Sequence, residues 1–183
     1  MVLIGLIGLK NSGKDTVADY LVRQHGFRKY AFADPVKEIC KIMFRLDLEQ
    51  LHDPVRKEQL DERWGMTPRT MMQKIGTDMI RNMWGKDFWV RNMNTRVPSH
   101  GSDRVVVSDV RFQNEAEWIQ QKGGILVRVV DGTQHCDNHP SETEQLSIKE
   151  DLLLVNPKSG LSSFYDDIES MFLNHFSNEE SKI

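Results

Sequence analysis

The sequence lacks the features that would set it apart from ordinary globular proteins. Only two of its 183 residues are cysteines, Cys40 and Cys136, and they lie far apart and match no metal-ligand spacing. We therefore expect two reduced thiols. No long hydrophobic run is present either, because the apolar residues 1–7 are few and residues 8–14 interrupt them at once. We expect neither a secretory signal nor a membrane span there.

The sequence also lacks a large excess of charge of either sign. Lysine and arginine contribute 24 positive charges and aspartate and glutamate 27 negative ones, for a formal net charge of -3. A protein that binds a nucleic-acid polymer usually shows a clustered basic excess. We therefore expect no nucleic-acid polymer and no membrane as partners, and a cytoplasmic protein. A small basic pocket for one phosphate is compatible with this charge balance.

Short apolar runs alternate with helical patterns along the chain. We predict strands over residues 2–7, 30–33, 105–108, 125–130 and 152–155. We predict helices over residues 16–25, 35–43, 71–84, 87–93, 112–122 and 161–176. This alternation is typical of an α/β fold in three layers, an α/β/α sandwich with a central parallel sheet. The length of the chain favours one domain, residues 1–183.

The sharpest motif lies between the first predicted strand and the first predicted helix. Gly8, Gly13 and Lys14 form the pattern G-x4-G-K, and this strand–helix context is what a phosphate-binding loop (P-loop) requires. Glycines let successive N–H groups point at phosphate oxygens, and the helix N-terminus adds partial positive charge. We expect Lys14 to reach the β- and γ-phosphates of a nucleotide, which places the chain among the P-loop NTPase folds.

The residue after Lys14 departs from the general P-loop pattern. Asp15 stands where most P-loop proteins have Ser or Thr, and Thr16 follows one place later. The spacing favours small-molecule kinases and counts against a nucleotide-dependent switch. We expect the Thr16 hydroxyl nearest Mg²⁺. Asp15 either holds a metal-bound water or favours the positive end of the helix dipole, and both alternatives stay open.

A second group of polar residues follows the predicted strand at residues 105–108. Asp109 and Arg111 come at its carboxyl end, where open α/β sheets bind ligands and P-loop enzymes place a group that organises Mg²⁺. Arg111 can clamp an anion through its fork of donors. The alternative is structural: Asp109 caps a helix and forms an ion pair with Arg111. Glu115 lies one helical turn beyond.

Basic residues that could neutralise an acceptor phosphate are scattered along the chain. A phosphate acceptor needs no proton-accepting carboxylate, because its oxygen is already anionic near pH 7, whereas a hydroxyl acceptor usually needs one. For a phosphate acceptor, catalysis is mostly alignment and neutralisation of charge. The candidates for that neutralisation are Lys37, Arg56, Arg63, Arg69, Arg111 and Arg128.

Several segments together resemble the deoxynucleoside monophosphate kinases of bacterial viruses. The resemblance is carried, in order, by residues 8–16, 33–37, 72–78, 88–90 and 109–111 with Glu115, and more weakly from residue 139 onward. The P-loop alone is not specific to that family, but its combination with Gly76-Thr77-Asp78 and Trp89 is considerably more specific. The resemblance implies a nucleoside-monophosphate-kinase-like core, ATP and Mg²⁺, and, for a viral chain, the host cytoplasm.

The resemblance also implies a set of site residues. The donor phosphates would be held by Lys10, Asn11, Gly13, Lys14, Asp15 and Thr16. The acceptor would be surrounded by Lys37, Gly76, Trp89, Asp109, Arg111 and Glu115, together with an arginine of the next region. Trp89 would stack on a base or form a wall of the pocket, although a lone tryptophan on a helix is more often in the core.

Two segments are expected to lie outside the core. Residues 44–70 carry charges of both signs and two prolines, and we interpret them as an acceptor-binding excursion in which Arg56 and Arg63 compete for the acceptor. We interpret residues 131–147 as a lid, although they lack the arginines of many kinase lids. A zinc site at His135, Cys136 and His139 is disfavoured because their spacing fits no ligand pattern.

Three functions remain open from the sequence. The first is transfer of the γ-phosphoryl group of ATP to a deoxynucleoside monophosphate, with Lys14, Asp109 and Arg111 as catalytic residues. The second is a related kinase for a modified nucleobase hydroxyl, dephospho-coenzyme A or another small phosphate. The third is a non-catalytic nucleotide switch. A homodimer is also left open, with Trp64 and Trp84 favoured as core residues over interface residues.

Overall fold

A computed structural model of the chain describes residues 1–97, 103–132, 139–158 and 160–176. The chain folds into two compact units. We call Met1–Tyr30 together with Ser99–Ile183 the sheet unit, and Ala31–Pro98 the helical unit.

The sheet unit is built on five parallel strands. They are β1 (Val2–Ile7), β2 (Arg28–Tyr30), β3 (Arg104–Val107), β4 (Ile125–Val130) and β5 (Leu152–Val155). Their spatial order is β2-β3-β1-β4-β5, so β1 lies in the middle, paired in register Ile4 with Val106 and Ile4 with Ile125. Because β1 is buried between two strands and two helical layers, its sequence is a continuous apolar run.

Helices cover both faces of this sheet. On one face α1 (Lys14–His25) and α9 (Leu161–Phe176) pack over Ile4 and Leu6 in a single apolar cluster. On the other face lies α7 (Gln113–Gln121), where Ile119 comes so close that a Cβ on Gly5 would be 3.1 Å from it. The three-layer α/β/α class expected from the sequence is therefore confirmed.

The short segment before β5 also belongs to the sheet unit. It contains α8 (Pro140–Thr143) and a 3₁₀ helix, Glu144–Ser147.

The helical unit contains a series of short helices. They are α2 (Asp34–Phe44), α3 (Leu48–His52), a 3₁₀ turn (Arg56–Glu58), α4 (Pro68–Gln73), a π-helix (Lys74–Arg81), α5 (Asn82–Trp84) and α6 (Phe88–Arg96). The sequence predicts the helix over residues 71–84 but not its π-helical middle. Thr67 starts this run, since its side chain accepts a hydrogen bond from the Thr70 N–H.

Several element boundaries differ from the predictions for physical reasons. The strand expected over residues 30–33 lies at Arg28–Tyr30, because a turn follows in which Ala31 donates its N–H to Asp34 Oδ2 at 2.9 Å. The helix expected from residue 16 begins at Lys14, directly after the left-handed Gly13. Along α2, Val36 and Cys40 are buried as expected, but Met43 is exposed.

The prediction that Trp64 and Trp84 are core residues is wrong. Trp84 is 72% exposed and Trp64 is 41% exposed, and they contact Phe88 and Phe44 respectively through ring edges. Met71 is fully buried, so it does belong to the core. Among the described residues, no helix combines the length and the apolar character needed to cross a membrane.

Candidate active site

The P-loop joins the carboxyl end of β1 to the amino end of α1. Gly13 adopts left-handed backbone angles (φ 108°) immediately before the helix. A Cβ on Gly8 would lie 2.3 Å from the Val129 carbonyl oxygen and 2.7 Å from Ser12 Oγ, so no side chain fits there. Both glycines of the motif are therefore required by the path of the backbone.

Lys14 folds back over this loop. Its ammonium group donates hydrogen bonds to the Gly8 and Leu9 carbonyl oxygens at 2.6 and 2.7 Å. Burial lowers the pKa of Lys14 from 10.5 to about 8, and the positive charge of Arg111 contributes to this lowering, against the carboxylates of Glu142, Asp15 and Asp109. The lysine thus stands in a partly desolvated environment, in which an incoming anion would stabilise its charge.

The loop also contains a polar atom that a bound ligand could satisfy. Ser12 is buried, and its Oγ has no hydrogen-bond partner within the described ranges. The other side of the loop is held by Asn156, just after β5, whose Nδ2 donates to the Ser12 carbonyl oxygen at 3.1 Å. A curled backbone, a buried unsatisfied hydroxyl and a nearby lysine fit a nucleotide's phosphates.

Asp15 and Thr16 in the first turn of α1 differ in their exposure to solvent. Asp15 is exposed, and its Oδ1 accepts a hydrogen bond from Lys29 Nζ of β2 at 2.8 Å, a contact that neither alternative from the sequence anticipated. Lys29 also donates to Asp19 at 2.9 Å. Thr16 is half-buried in the same turn as Lys14, and its role as the hydroxyl nearest Mg²⁺ stays a prediction.

The turn after β3 brings Asp109 and Arg111 into the electrostatic surroundings of Lys14. Burial alone would lower the pKa of Arg111, but the carboxylates of Glu142 and Asp109 outweigh it and raise that pKa. Arg111 Nη1 donates a hydrogen bond to Glu142 Oε1. The three residues predicted to be catalytic, Lys14, Asp109 and Arg111, are therefore gathered in one unit.

The alternative in which Asp109 caps a helix is wrong. Helix α7 begins at Gln113, so its N-cap is Phe112, and the capping carboxylate belongs to Glu115. Glu115 is buried, and its Oε2 accepts the N–H groups of Arg111 and Phe112 at 2.8 and 3.2 Å. Its role as an acceptor-binding residue stays a prediction, to which the structure adds that it holds the backbone of Arg111.

Two buried residues of the site were missed by the sequence reasoning. Glu142 is 2% exposed and Gln145 is fully buried, and both lie in the segment interpreted as a lid. Gln145 Oε1 accepts the Gly8 N–H at 3.2 Å, and its Nε2 donates to Glu142 Oε2 at 3.1 Å. The available signal in the sequence was that Glu142 and Gln145 stand three positions apart in a polar stretch. That spacing does not reveal that both side chains are buried.

The rest of that segment is only partly described. Residues 133–138 lie outside the described ranges, and with them His135 and Cys136 of the disfavoured zinc site. Arg128 on β4 supports the described part: it donates to the carbonyl oxygens of Gln145 and Ile148 and, at 2.9 Å, to Glu150. Within the described ranges, no group of three or more acidic, His or Cys side chains could hold a metal ion.

The remaining acceptor candidates lie in the helical unit. Trp89 is 5% exposed, and its indole N–H donates to the Gly76 carbonyl oxygen at 2.8 Å, so two predicted residues meet directly. Gly76 lies inside the π-helix rather than at a helix end, and a Cβ there would be 3.3 Å from Val36. Lys37 is half-buried on α2.

The arginines of the same unit have identifiable partners. Arg69 Nε donates to Glu58 Oε1 at 2.5 Å, and Arg56 Nη1 donates to Gln59 at 3.2 Å. Arg63 is tied to the buried carboxylate of Asp61, and its hydrogen bonds hold the pKa of Asp61 well below the usual range. Each of the three arginines thus has a partner within this unit, and which of them contacts the acceptor stays a prediction.

The fold and the P-loop identify the class of protein as a P-loop α/β protein. Solved P-loop kinases share the architecture: shikimate kinase from Aquifex aeolicus matches with a TM-score of 0.53 at 16% identity, over 95% of this chain and 98% of that one. Dephospho-CoA kinase from Campylobacter jejuni matches with a TM-score of 0.51 at 12% identity, over 94% and 96%. At such identities the likeness establishes the fold alone.

The sequence comparisons then give the family. A family model described as deoxynucleotide monophosphate kinase matches residues 2–57 and 42–168. A protein of Acanthamoeba polyphaga mimivirus, named "Putative deoxynucleotide monophosphate kinase", is 44% identical over 93% of this chain and 95% of its own length. The deoxynucleotide monophosphate kinase of Escherichia phage RB69 is 24% identical over 93% and 99%. The chain belongs to the deoxynucleotide monophosphate kinase family.

Proposed function

We propose that this protein transfers the γ-phosphoryl group of ATP to a deoxynucleoside monophosphate and releases ADP and a deoxynucleoside diphosphate. The observation that carries the proposal is the grouping of Lys14, Asp109 and Arg111 around a P-loop in a chain of this family. An acceptor phosphate oxygen forms the new O–P bond while the bond between the γ-phosphorus and the β,γ-bridging oxygen breaks. No base is needed, since the attacking oxygen is already anionic near pH 7.

The donor side is assigned to the P-loop. Its curled backbone and Lys14 bind the β- and γ-phosphates, and Asn11, Lys10 and Gly13 complete the loop around them. Thr16 would supply a hydroxyl to Mg²⁺, and Asp109 would hold the waters of that ion. Bound Mg²⁺ would neutralise negative charge on the transferring group. Two of the three N–H donors of Lys14 hold the Gly8 and Leu9 carbonyl oxygens, and a bound phosphate would engage the same ammonium group.

The acceptor side is proposed separately for each unit. In the sheet unit, Arg111 neutralises charge on the acceptor phosphate, with Asp109 and Glu115 holding its surroundings. In the helical unit, the proposed acceptor residues are Lys37, Arg56, Arg69, Gly76 and Trp89. Since the Trp89 ring is buried and its N–H holds Gly76, we assign it to the wall of a pocket rather than to stacking.

The proposal also covers the cellular compartment and the oligomeric state. We place the reaction in the cytoplasm, that of the host if the chain is viral, where nucleotide pools are found. A homodimer is kept as a proposal that sedimentation of the purified chain decides. Residues 44–70 as an acceptor-binding excursion and residues 131–147 as a lid of a single kinase domain belong to the same proposal.

The test is ADP release with Mg·ATP against a panel of nucleoside and deoxynucleoside monophosphates. We expect turnover with one or more deoxynucleotides and its loss in Lys14→Ala. A second pair of variants separates acceptor types: for a phosphate acceptor, Arg111→Met must cost at least as much turnover as Asp109→Asn. Silence across the panel despite ATP binding would refute the proposal, and unchanged turnover in Arg111→Met would argue against a phosphate acceptor.

A further inference from the structure

We infer that Glu142 and Gln145 are positioning residues that set the guanidinium of Arg111 and the first turn of the P-loop together. This inference rests on the proposed function, because it assigns the two residues a role in that phosphoryl transfer. Both side chains are buried in the sheet unit, so their contacts with the loop and the arginine are not incidental contacts of surface side chains.

The chemistry of Gln145 suits this position. The Gly8 N–H can only donate, so it requires the amide oxygen, and the Glu142 carboxylate can only accept, so it requires the amide nitrogen. The orientation of the amide is thereby determined by its two partners. A glutamate would set two carboxylates against each other, and an apolar residue would leave the Gly8 N–H unsatisfied.

Glu142 extends the connection to Arg111. One carboxylate oxygen accepts from Gln145 and the other from Arg111 Nη1, so its two oxygens serve two partners. The backbone of Arg111 is held independently, by Glu115. Glu115 therefore fixes where the Arg111 side chain starts, and Glu142 selects the direction in which that long side chain points.

The Gly8 N–H has a consequence for the donor side. Because it donates to Gln145, the first amide of the loop serves as an anchor rather than a phosphate ligand. Arg128 in turn fixes the 3₁₀ helix that carries Gln145, through that residue's own carbonyl oxygen. A continuous set of hydrogen bonds thus joins residues 8, 145, 142 and 111, which no local sequence pattern connects.

A double-mutant cycle tests the inference. Glu142→Gln keeps the size of the side chain but removes its charge, and we expect kcat to fall at least about tenfold, because small misplacements of a charge-neutralising group are costly. In an Arg111→Met background the same change must cost clearly less than in the wild type, since only the contact of Glu142 with Gln145 remains to be lost. The exposed Glu117→Gln on α7 is the matched control and should leave kcat unchanged.

Gln145→Met is the second variant, and it keeps the Arg111–Glu142 pair. We expect weaker ATP binding, by about tenfold, because it frees the Gly8 turn. Equal kcat losses from Glu142→Gln in both backgrounds would overturn the inference, as would unchanged ATP affinity in Gln145→Met. Circular dichroism and melting temperature identify a variant that fails to fold, in which case the other variant decides.

Failure of the proposed function has a different signature. If the wild-type protein transfers no phosphoryl group to any monophosphate, that function is refuted whatever the variants do. The inference is then judged by calorimetric ATP binding alone. It survives if Gln145→Met weakens binding and is overturned if it does not.

Discussion

At the scale of single residues, Lys14 shows how the surroundings prepare a side chain for a ligand. Its pKa of about 8 results mainly from burial, with the nearby Arg111 adding to the effect. The cost of keeping this ammonium group charged is relieved when an anion arrives. The residue is therefore easy to predict from the motif, whereas its pKa follows only from neighbours that are distant in sequence.

Lys14 predicts a pH dependence of nucleotide binding. Bound phosphates raise its pKa above 8, so binding takes up a proton at higher pH. ATP affinity should be constant below pH 8 and fall as pH rises, by at most about tenfold per unit. Calorimetry in two buffers of different ionisation enthalpy measures the uptake. Lys14→Arg stays charged and should bind with a flat profile between about pH 7.5 and 9.5; an equal slope in both proteins would contradict the assignment.

Trp89 and Trp84 form a matched pair for a stability prediction. Trp89 is buried with its N–H on Gly76, whereas Trp84 is exposed. Trp89→Phe loses that hydrogen bond and some buried area, so we expect about 1–3 kcal/mol less unfolding free energy. Trp84→Phe should change it by about 0.5 kcal/mol or less. Urea unfolding measures both, and similar losses would show that Trp89 is not a structural anchor.

At the scale of elements, strands were predictable where the sequence is continuously apolar and not where it is charged. The apolar runs at residues 2–7, 125–130 and 152–155 match β1, β4 and β5 in both limits. β2 was displaced because this edge strand carries the charged Arg28 and Lys29, which give no apolar run. The π-helix was missed because its eight residues are too few to distinguish its wider i→i+5 register from an α-helical pattern.

The P-loop as an element predicts a steric effect. Gly8→Ala puts a methyl group 2.3 Å from the Val129 carbonyl oxygen, so the loop must shift. We expect about 1–3 kcal/mol lower stability and at least about tenfold weaker ATP binding. Gly160→Ala, whose added Cβ has nothing within 4 Å, is the control. Fluorescence titration with a nucleotide analogue compares them, and normal binding by Gly8→Ala would argue against the loop as a phosphate site.

At the scale of the whole molecule, the reaction class was predictable and the supporting network was not. Lys14, Asp109 and Arg111 stand next to recognisable strands, so their convergence follows from the rule that parallel strands end at one edge. Glu142 and Gln145 follow no strand and become partners of the site only through folding. The alternative in which Asp109 caps a helix failed because Glu115, inside α7, accepts the N–H groups of Arg111 and Phe112.

The reaction to be tested most directly is the transfer of a phosphoryl group to a phosphate of a deoxynucleotide. We would incubate the protein with Mg²⁺, ATP radiolabelled with phosphorus at the γ position and each deoxynucleoside monophosphate, and identify the labelled product by chromatography. We expect label in the β-phosphate of a deoxynucleoside diphosphate, and no such label with Lys14→Ala. Label only in inorganic phosphate, or in no product while ATP binds, would contradict it.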